Sequence, residues 1–437
     1  MRLCFLENES VHSLEPLIWA RPACDLWAGS LRVGELLRLW ADARECAYLG
    51  RPYIAEYVRL AHPDWTVDDK DWFKDGPVVF VDSVWLPKDR RLAMPEAWRV
   101  GLCQEEPVYA VLPGELAYNV AACILEEGLS FAEALATVAR SVPTASAQGV
   151  RIRYLWELIE AASVYFDRDV RICGAYPGWR DARDLGHAGV VVLGPPERVV
   201  VHESATVEPL VVLDARQGPI VLDAGARVAA FSRIDGPSYV GQDTWVLAAH
   251  VKESIVGPVC RIAGEIEKSI LQGFSNKQHE GFLGHSYIGE WVNLAAATQV
   301  ADLRNDYGTI AVSIGGCRVG SGRMKLGALI GDHTKSGLGT LINAGSVLGV
   351  FCQVLPSAGY APRVIPSFCR YRDGELQELW ELEPLFATAQ RVMSRRQCTW
   401  TETHERLFRA VWQETAGQRQ AALRAGPHRL TPPAVPG

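Results

Sequence analysis

Apolar positions along the chain follow three rhythms, and each predicts a different architecture. Up to about residue 190, short apolar runs closed by turn residues predict strands at residues 3–6, 78–81 and 108–112. Between them lie stretches of helical spacing: residues 33–43 carry Leu36, Leu37 and Trp40, and residues 154–162 carry Leu155, Leu158 and Ile159. Strands alternating with helices predict an α/β domain with a largely parallel sheet.

After the turn-rich residues 194–197 the step becomes six. Val201, Val207 and Leu213 are six apart, as are Leu222, Val228, Ile234, Val240 and Val246; the step returns at Ile330, Ile342, Leu348 and Val354, with Ser336 in the remaining place. Neither an α-helix nor an ordinary strand has that period. A left-handed parallel β-helix over about residues 199–367 accounts for it: each six-residue unit makes one short face, its aliphatic side chain points inward, and three faces complete a coil. Stacked coils bury a column that no single coil buries alone, at roughly 1.5–3 kcal/mol per aliphatic side chain. Gly241, Gly289, Gly320 and Gly331 each follow an apolar residue, where a corner needs a small one. Between about residues 301 and 325 the step is lost, which predicts a loop excursion of the sort that carries function.

From Asp373 the spacing turns helical again, through Leu379, Leu382, Phe386, Ala389 and Met393 and then Leu407, Phe408, Val411 and Trp412. These amphipathic helices are expected to lay an apolar face on the β-helix or on a neighbouring subunit. The expected organisation is an α/β domain over 1–190, the β-helix over 196–370, C-terminal helices over 371–425 and a disordered tail over 426–437.

Composition constrains the ligands more than the fold. The 437 residues exceed what one core usually serves, and 48% hydrophobic with 22% charged residues is ordinary for a soluble protein. A net charge of -7 without any Lys/Arg-rich run gives no footprint for nucleic acid or an anionic membrane, so a phosphate-bearing ligand must be held by a few local cations. Eleven scattered cysteines form no CxxC pair, and Glu7, Glu9 and Glu15 stand where a signal peptide needs an apolar core. Both features predict a reduced, cytoplasmic protein without membrane spans.

The densest chemistry lies in SNKQHEGFLGHSYIGEWVN at residues 275–293, followed by DLRNDYG at 302–308 and GDHTKSG at 331–337. These motifs resemble the acetyltransferase half of the bifunctional enzyme that makes UDP-N-acetylglucosamine from glucosamine 1-phosphate. The whole chain resembles a divergent bacterial branch of that family, in which an atypical sugar nucleotidyltransferase-like domain precedes the β-helix. The resemblance implies acyl transfer from acetyl-CoA to an amino-sugar phosphate, in a homotrimer that builds the CoA site between neighbouring coils. It implies that His279 is the general base, a task that a neutral imidazole suits. It also implies sugar contact by Asn293 and substrate contacts by Asn276, Lys277, His285 and Lys335, with Asn305 and Tyr307 as a looser Asn-Tyr pair split by Asp306. Phe282 stands where the family has a tyrosine, so that hydroxyl is lost or replaced. Glu267 stands where the family has a phosphate-binding lysine; Lys268, Arg261, Lys277 and Lys335 are the candidate replacements.

The first strand is not followed by the GxGTR loop of ordinary nucleotidyltransferases. Instead WARPACDLWAGSLRVGE resembles the RPxxDLxxG signature of the divergent branch. That resemblance implies nucleotidyl transfer from a nucleoside triphosphate to a sugar 1-phosphate with Mg2+. Arg21 would then engage phosphate, Asp25 would orient it or hold a metal, and Gly29 and Gly34 would let the backbone approach the ligand. The residues alone equally allow a local Arg21–Asp25 ion pair. Asp82, at the end of a predicted strand where open α/β sheets bind ligands, is a candidate magnesium ligand. Three other functions remain open at this point: an acyltransferase with a degenerate N-terminal domain; a zinc-dependent hydratase with ligands among His250, His279, His285 and His333 across a subunit interface; and a non-catalytic sugar-nucleotide binding protein.

Overall fold

The computed structural model describes residues 1–89, 91–92, 98–173, 178–183, 185 and 189–425, apart from the side chains of Glu9 and of residues 167–173. The expected disordered tail lies outside the described residues. In the N-terminal part the strands are β1 (Arg2–Leu6), β2 (Glu45–Leu49), β3 (Trp65–Val67), β4 (Val78–Asp82), β5 (Trp85–Pro87), β6 (Arg99–Cys103), β7 (Glu106–Leu112), β8 (Thr144–Ser146) and β9 (Gly149–Arg151). Its helices are α1 (Val33–Ala41), α2 (Ala55–Ala61), α3 (Gly114–Glu127), α4 (Phe131–Val138) and α5 (Leu155–Cys173).

The sheet order is β3-β2-β1-β4-β7-β6-β8, with β5 paired to β9 apart from it. Strands β3, β2, β1 and β4 run parallel, as expected, but β7 is antiparallel to both neighbours. The pairing with β6 follows from the two-residue link between them: Gln104 and Glu105 both have positive φ, which suits a tight hairpin and leaves no room for a crossover. Both faces of the parallel strands are covered. Leu3, Phe5, Val79 and Val81 enter one core with α1 and α5, while Cys4, Leu6, Val78 and Phe80 enter another beneath α3 and α4.

The six-residue rhythm corresponds to stacked parallel coils with the architecture of a left-handed β-helix. One inward column runs Val201, Leu222, Val240, Val256, Leu271, Ile288, Ile330, Leu348 and Ile365, each paired in register with the next. A second runs Leu213, Ile234, Val251, Ile266, Leu283, Val300 and Ile342. A third runs Val207, Val228, Val246 and Ile262, and its next place is taken by Lys277. Gly289 is required by close approach: a Cβ there would lie 2.3 Å from Asp332 Oδ1. Gly320, expected at a corner, instead ends a hairpin and has open space around it.

Outward positions on one face of the β-helix are also apolar. Val200, Val221, Tyr239, Ile255, Ile270, Tyr287, Leu329 and Val347 are buried in the same core as the N-terminal sheet. The excursion at 301–325 contains an antiparallel hairpin (Ala311–Ile314 with Cys317–Gly320), and its Ile310, Val312 and Ile314 join that core. Gly315 N donates to Glu15, so the excursion also clasps the N-terminal domain. Helices α6 (Leu382–Ser394), α7 (Glu402–Glu414) and α8 (Ala416–Ala425) close the molecule. They dock on a column of rings at successive left-handed corners: Phe274, Trp291, His333, Phe351 and Phe368 all have φ between 53° and 60°. Neighbouring rings lie 4.4, 6.2, 4.6 and 5.5 Å apart, and Phe408 meets His333 and Phe351 edge-on. No helix among the described residues is long and apolar enough to cross a membrane.

Candidate active sites

His279 sits on an exposed corner turn of the β-helix, directly after the short strand Asn276–Lys277. The ammonium of Lys277 anchors that turn from inside, donating to His279 O at 3.2 Å and to Ala263 O at 3.0 Å. Lys277 is therefore not a surface contact for a ligand, as the sequence suggested, but a buried cation in the third inward column. Burial pushes its pKa down to about 8. Phe282 begins the next short strand and its backbone N–H donates to Gln299 Oε1. Its ring covers Gly284, since a Cβ there would fall 2.5 Å from the ring.

Asn276, Asn293 and Lys335 stand on successive coils, linked by bridges from Asn276 to Asn293 and from Asn293 to Lys335. Asn276 Nδ2 donates to Asn293 Oδ1 at 2.7 Å. The three line one cavity of about 230 Å³, together with Gln278, Trp291 and Arg396. The structure thus brings these three predicted residues together beside the turn of His279. Other predicted residues lie elsewhere. His285 Nδ1 is 2.7 Å from Asp302 Oδ2, and Lys325 approaches the same carboxylate at 3.9 Å. Burial opposes ionisation of Asp302, but the His285 hydrogen bond and the nearby cations hold its pKa below the ordinary value. Asn305 and Tyr307 are exposed on the excursion, near the Arg304–Asp306 ion pair. Glu267 is paired with Lys252 at 3.0 Å.

Among the histidines considered as zinc ligands, His250 is 2.7 Å from Asp235 and His333 is enclosed in the column of rings. Burial drives the His333 pKa well below its usual value, so it is a neutral packing residue. With His285 held by Asp302, these side chains do not converge within the chain.

In the N-terminal domain, Leu6, Leu49 and Asp82 lie side by side at the carboxyl ends of β1, β2 and β4. A cavity of about 900 Å³ opens there, lined by Asn8, Ser10, Arg51, Asp82, Glu106 and Arg151 among others. Asp82 accepts from Arg151 Nε at 2.8 Å and from Val84 N at 3.2 Å, and the same guanidinium reaches on to Glu106. Burial raises the Asp82 pKa against the pull of Arg151. Arg51 and Arg151 were missed by sequence reading; only the strand-end position of Asp82 pointed to this cavity.

Arg21 and Asp25 are not in it. Arg21 is buried and ion-paired to Asp332, with Glu290 at 3.4 Å, both from the β-helix. Burial opposes the charge of Arg21, but the two carboxylates hold its proton firmly. Asp25 pairs with His62 at 2.9 Å, and its carbonyl accepts from Gln272 Nε2 at 2.7 Å. Trp27 adds a bond from Nε1 to Gln272 O at 2.9 Å, and Gly29, with φ 109°, turns the chain between Ala28 and Leu31. Arg21 and Asp25 thus join the N-terminal domain to the β-helix, Gly29 shapes the turn beside them, and none of the three lines the cavity at the strand ends.

Residues 3–175 match the sugar nucleotidyl transferase family. Among curated relatives, a bifunctional sugar-1-phosphate nucleotidylyltransferase/acetyltransferase of Sulfurisphaera tokodaii is 37% identical over 94 residues, 22% of this chain and 23% of that protein. The bifunctional protein GlmU of Methanococcus vannielii is 34% identical over 98 residues, 21% of this chain and 23% of its own. The chain thus spans about a quarter of the length of the curated relatives it matches. A hexapeptide transferase family protein from Anaplasma phagocytophilum aligns over 53% of this chain and 97% of its own, at 10% identity and a TM-score of 0.23.

Proposed function

We propose that the protein is a two-site transferase of sugar-nucleotide synthesis. One site transfers an acyl group from acetyl-CoA to an amino-sugar phosphate on the β-helix; the other joins a sugar 1-phosphate to a nucleotide at the N-terminal sheet. The observation that carries this reading is the presence of two separate cavities that charged side chains help to line, one at the carboxyl ends of β1, β2 and β4 and one beside the SNKQH turn. The names of the curated relatives support the same pairing of activities.

In the acyl transfer, His279 takes a proton from the acceptor amine as its nitrogen attacks the thioester carbonyl carbon, and the thiol of CoA leaves. An exposed base suits a ligand held outside the coil, and Lys277 positions it by gripping His279 O. Asn293 and Asn276 offer amides to sugar hydroxyls, and Phe282 contributes contact without the tyrosine hydroxyl of the family. The exposure of His279 fits a site completed by a neighbouring chain in a trimer. In the nucleotidyl transfer, a phosphate oxygen of the sugar attacks the α-phosphorus and pyrophosphate leaves; Arg151 and Arg51 are the cations of that cavity.

Magnesium would need one or two carboxylates plus the phosphates of the ligand, and among the described residues Asp82 is the carboxylate at the strand end. No group of three or more His, Cys, Asp or Glu side chains able to hold a metal occurs among them, and Arg151 bridges Asp82 and Glu106 where a cation would sit.

The test is a pair of assays on the wild-type chain. Thiol release is measured with acetyl-CoA and a panel of amino-sugar phosphates, and pyrophosphate release with nucleoside triphosphates and sugar 1-phosphates. Both releases are expected; thiol without pyrophosphate would reduce the N-terminal half to a binding module, and neither would overturn the reading.

A further inference from the structure

Acidic residues outnumber basic ones in this chain by 51 to 44, yet the charged side chains lining the cavity beside Asn276 and Asn293 are all cations. Lys335 enters from the coil, and Arg395 and Arg396 enter from the end of α6. Lys335 Nζ donates to the backbone carbonyl of His333 at 3.0 Å and has no carboxylate partner; burial alone lowers its pKa to about 8. Arg395 is exposed and Arg396 half-buried at the rim of this cavity, and neither makes an ion pair with any described residue. Just outside, Arg261 and Arg227 lie over the Trp245 ring at 4.0 and 4.9 Å. Burial first, and then the charges of Arg396 and Arg227, pull the Arg261 pKa down to about 10.

Like charges gathered without counterions raise the free energy of the empty protein, and an anion relieves that cost. The rest of the lining suits an organic anion. Phe274 and Trp291 form a stacked wall with centroids 4.4 Å apart, and Asn276 Oδ1 is buried without a hydrogen-bond partner.

We propose that Lys335, Arg395 and Arg396 form a phosphate-binding subsite, with Arg261 as the next cation outward, and that it takes the phosphates of an organic phosphate. This subsite supplies the charge that Glu267, already paired with Lys252, withholds. Its role in turnover rests on the acyl-transfer reading; its binding chemistry does not. The phosphates have two possible sources, the 3′-phosphate and diphosphate of CoA or the phosphate of the amino sugar.

Calorimetric titration of the full chain separates them, using CoA, 3′-dephospho-CoA and glucosamine 1-phosphate. Wild type is compared with the double variants Arg395→Ala, Arg396→Ala and Arg395→Lys, Arg396→Lys. At least one of CoA and glucosamine 1-phosphate should bind about tenfold more weakly to the alanine variant, with the lysine variant recovering most of the loss. Weaker CoA binding with an unchanged dephospho-CoA affinity assigns the 3′-phosphate, and equal weakening of both assigns the diphosphate. Weakening of glucosamine 1-phosphate alone assigns the sugar phosphate. Unchanged affinities in the alanine variant, or no binding of CoA or glucosamine 1-phosphate to wild type, would overturn the proposal. An unchanged melting temperature shows that the variants fold. Binding that depends on the arginines without any thiol release would leave the subsite standing and remove the acyl-transfer reading.

Discussion

The RPACDLWAG segment after β1 and the SNKQH segment of the β-helix are both rich in charged and polar residues, but the structure uses them in opposite ways. In the first, Arg21 is matched by Asp332 and Glu290, and Asp25 by His62. In the second, Gln278 and His279 are exposed on a corner, and Gln278 lines a cavity with Arg395 and Arg396, which have no carboxylate partners among the described residues. A buried charge needs a partner, and where the chain supplies one the residue is structural. A cation that lines a cavity without a carboxylate partner is free to take an anionic ligand. The difference therefore separates a joint between domains from a site for chemistry, although both read as motifs in the sequence.

The largest effect expected from breaking this contrast is at Arg21. Arg21→Met leaves the buried Asp332, with the half-buried Glu290 beside it, without its cation, which should cost about 3–5 kcal/mol of stability by denaturant titration. Both activities should fall together as the domains loosen. A variant of wild-type stability that lost only pyrophosphate release would return Arg21 to the nucleotide site.

Lys277 gives a smaller and pH-dependent effect. With its pKa lowered to about 8 from an ordinary value of 10.5, the unfolded chain binds a proton that the folded one lacks between those values. Wild-type stability should therefore rise with pH from about 8 to 10.5, and Lys335, depressed to the same degree, contributes in the same window. Lys277→Met should remove roughly half of that rise. It should also slow thiol release by freeing the His279 turn. A pH slope equal to that of wild type would contradict the burial of this ammonium.

The smallest effect is at His333. Its lowered pKa keeps it neutral in the fold, so stability should decline as pH falls below about 6.5, where the unfolded imidazole takes a proton. His333→Phe, which preserves the stack on Phe351, should flatten that decline and change nothing at pH 8. Chemical denaturation at pH 5.5 and 8 checks it.

The inward columns were legible because a six-residue step leaves the same side chain facing the axis on every coil. Residues such as Leu222, Val240 and Ile330 could thus be placed from spacing alone. The apolar outward column was not, since Val200, Val221 and Ile255 sit beside inward aliphatics and look like part of the same run. Only their burial beneath the N-terminal domain gives them a separate meaning. Lys277 was misplaced for a related reason: coils here differ in length, so register rather than spacing puts it above Ile262. Helix α8 falls inside the helical region expected over 371–425 but carries no apolar stripe of its own; it is held by Arg419, which reaches Glu378, Thr415 and Trp412 O. At the candidate site, the motif directed attention to His279, Asn276 and Asn293. Arg395 and Arg396, more than a hundred residues later, could be joined to them only by the fold.

The central claim is that acyl transfer runs on His279 while the N-terminal cavity works independently of it. Thiol release and pyrophosphate release should be measured on one preparation each of wild type and His279→Ala. Thiol release should fall by about 10²–10⁴ in the variant, with pyrophosphate release and melting temperature unchanged. Equal thiol release in the two proteins would contradict the account.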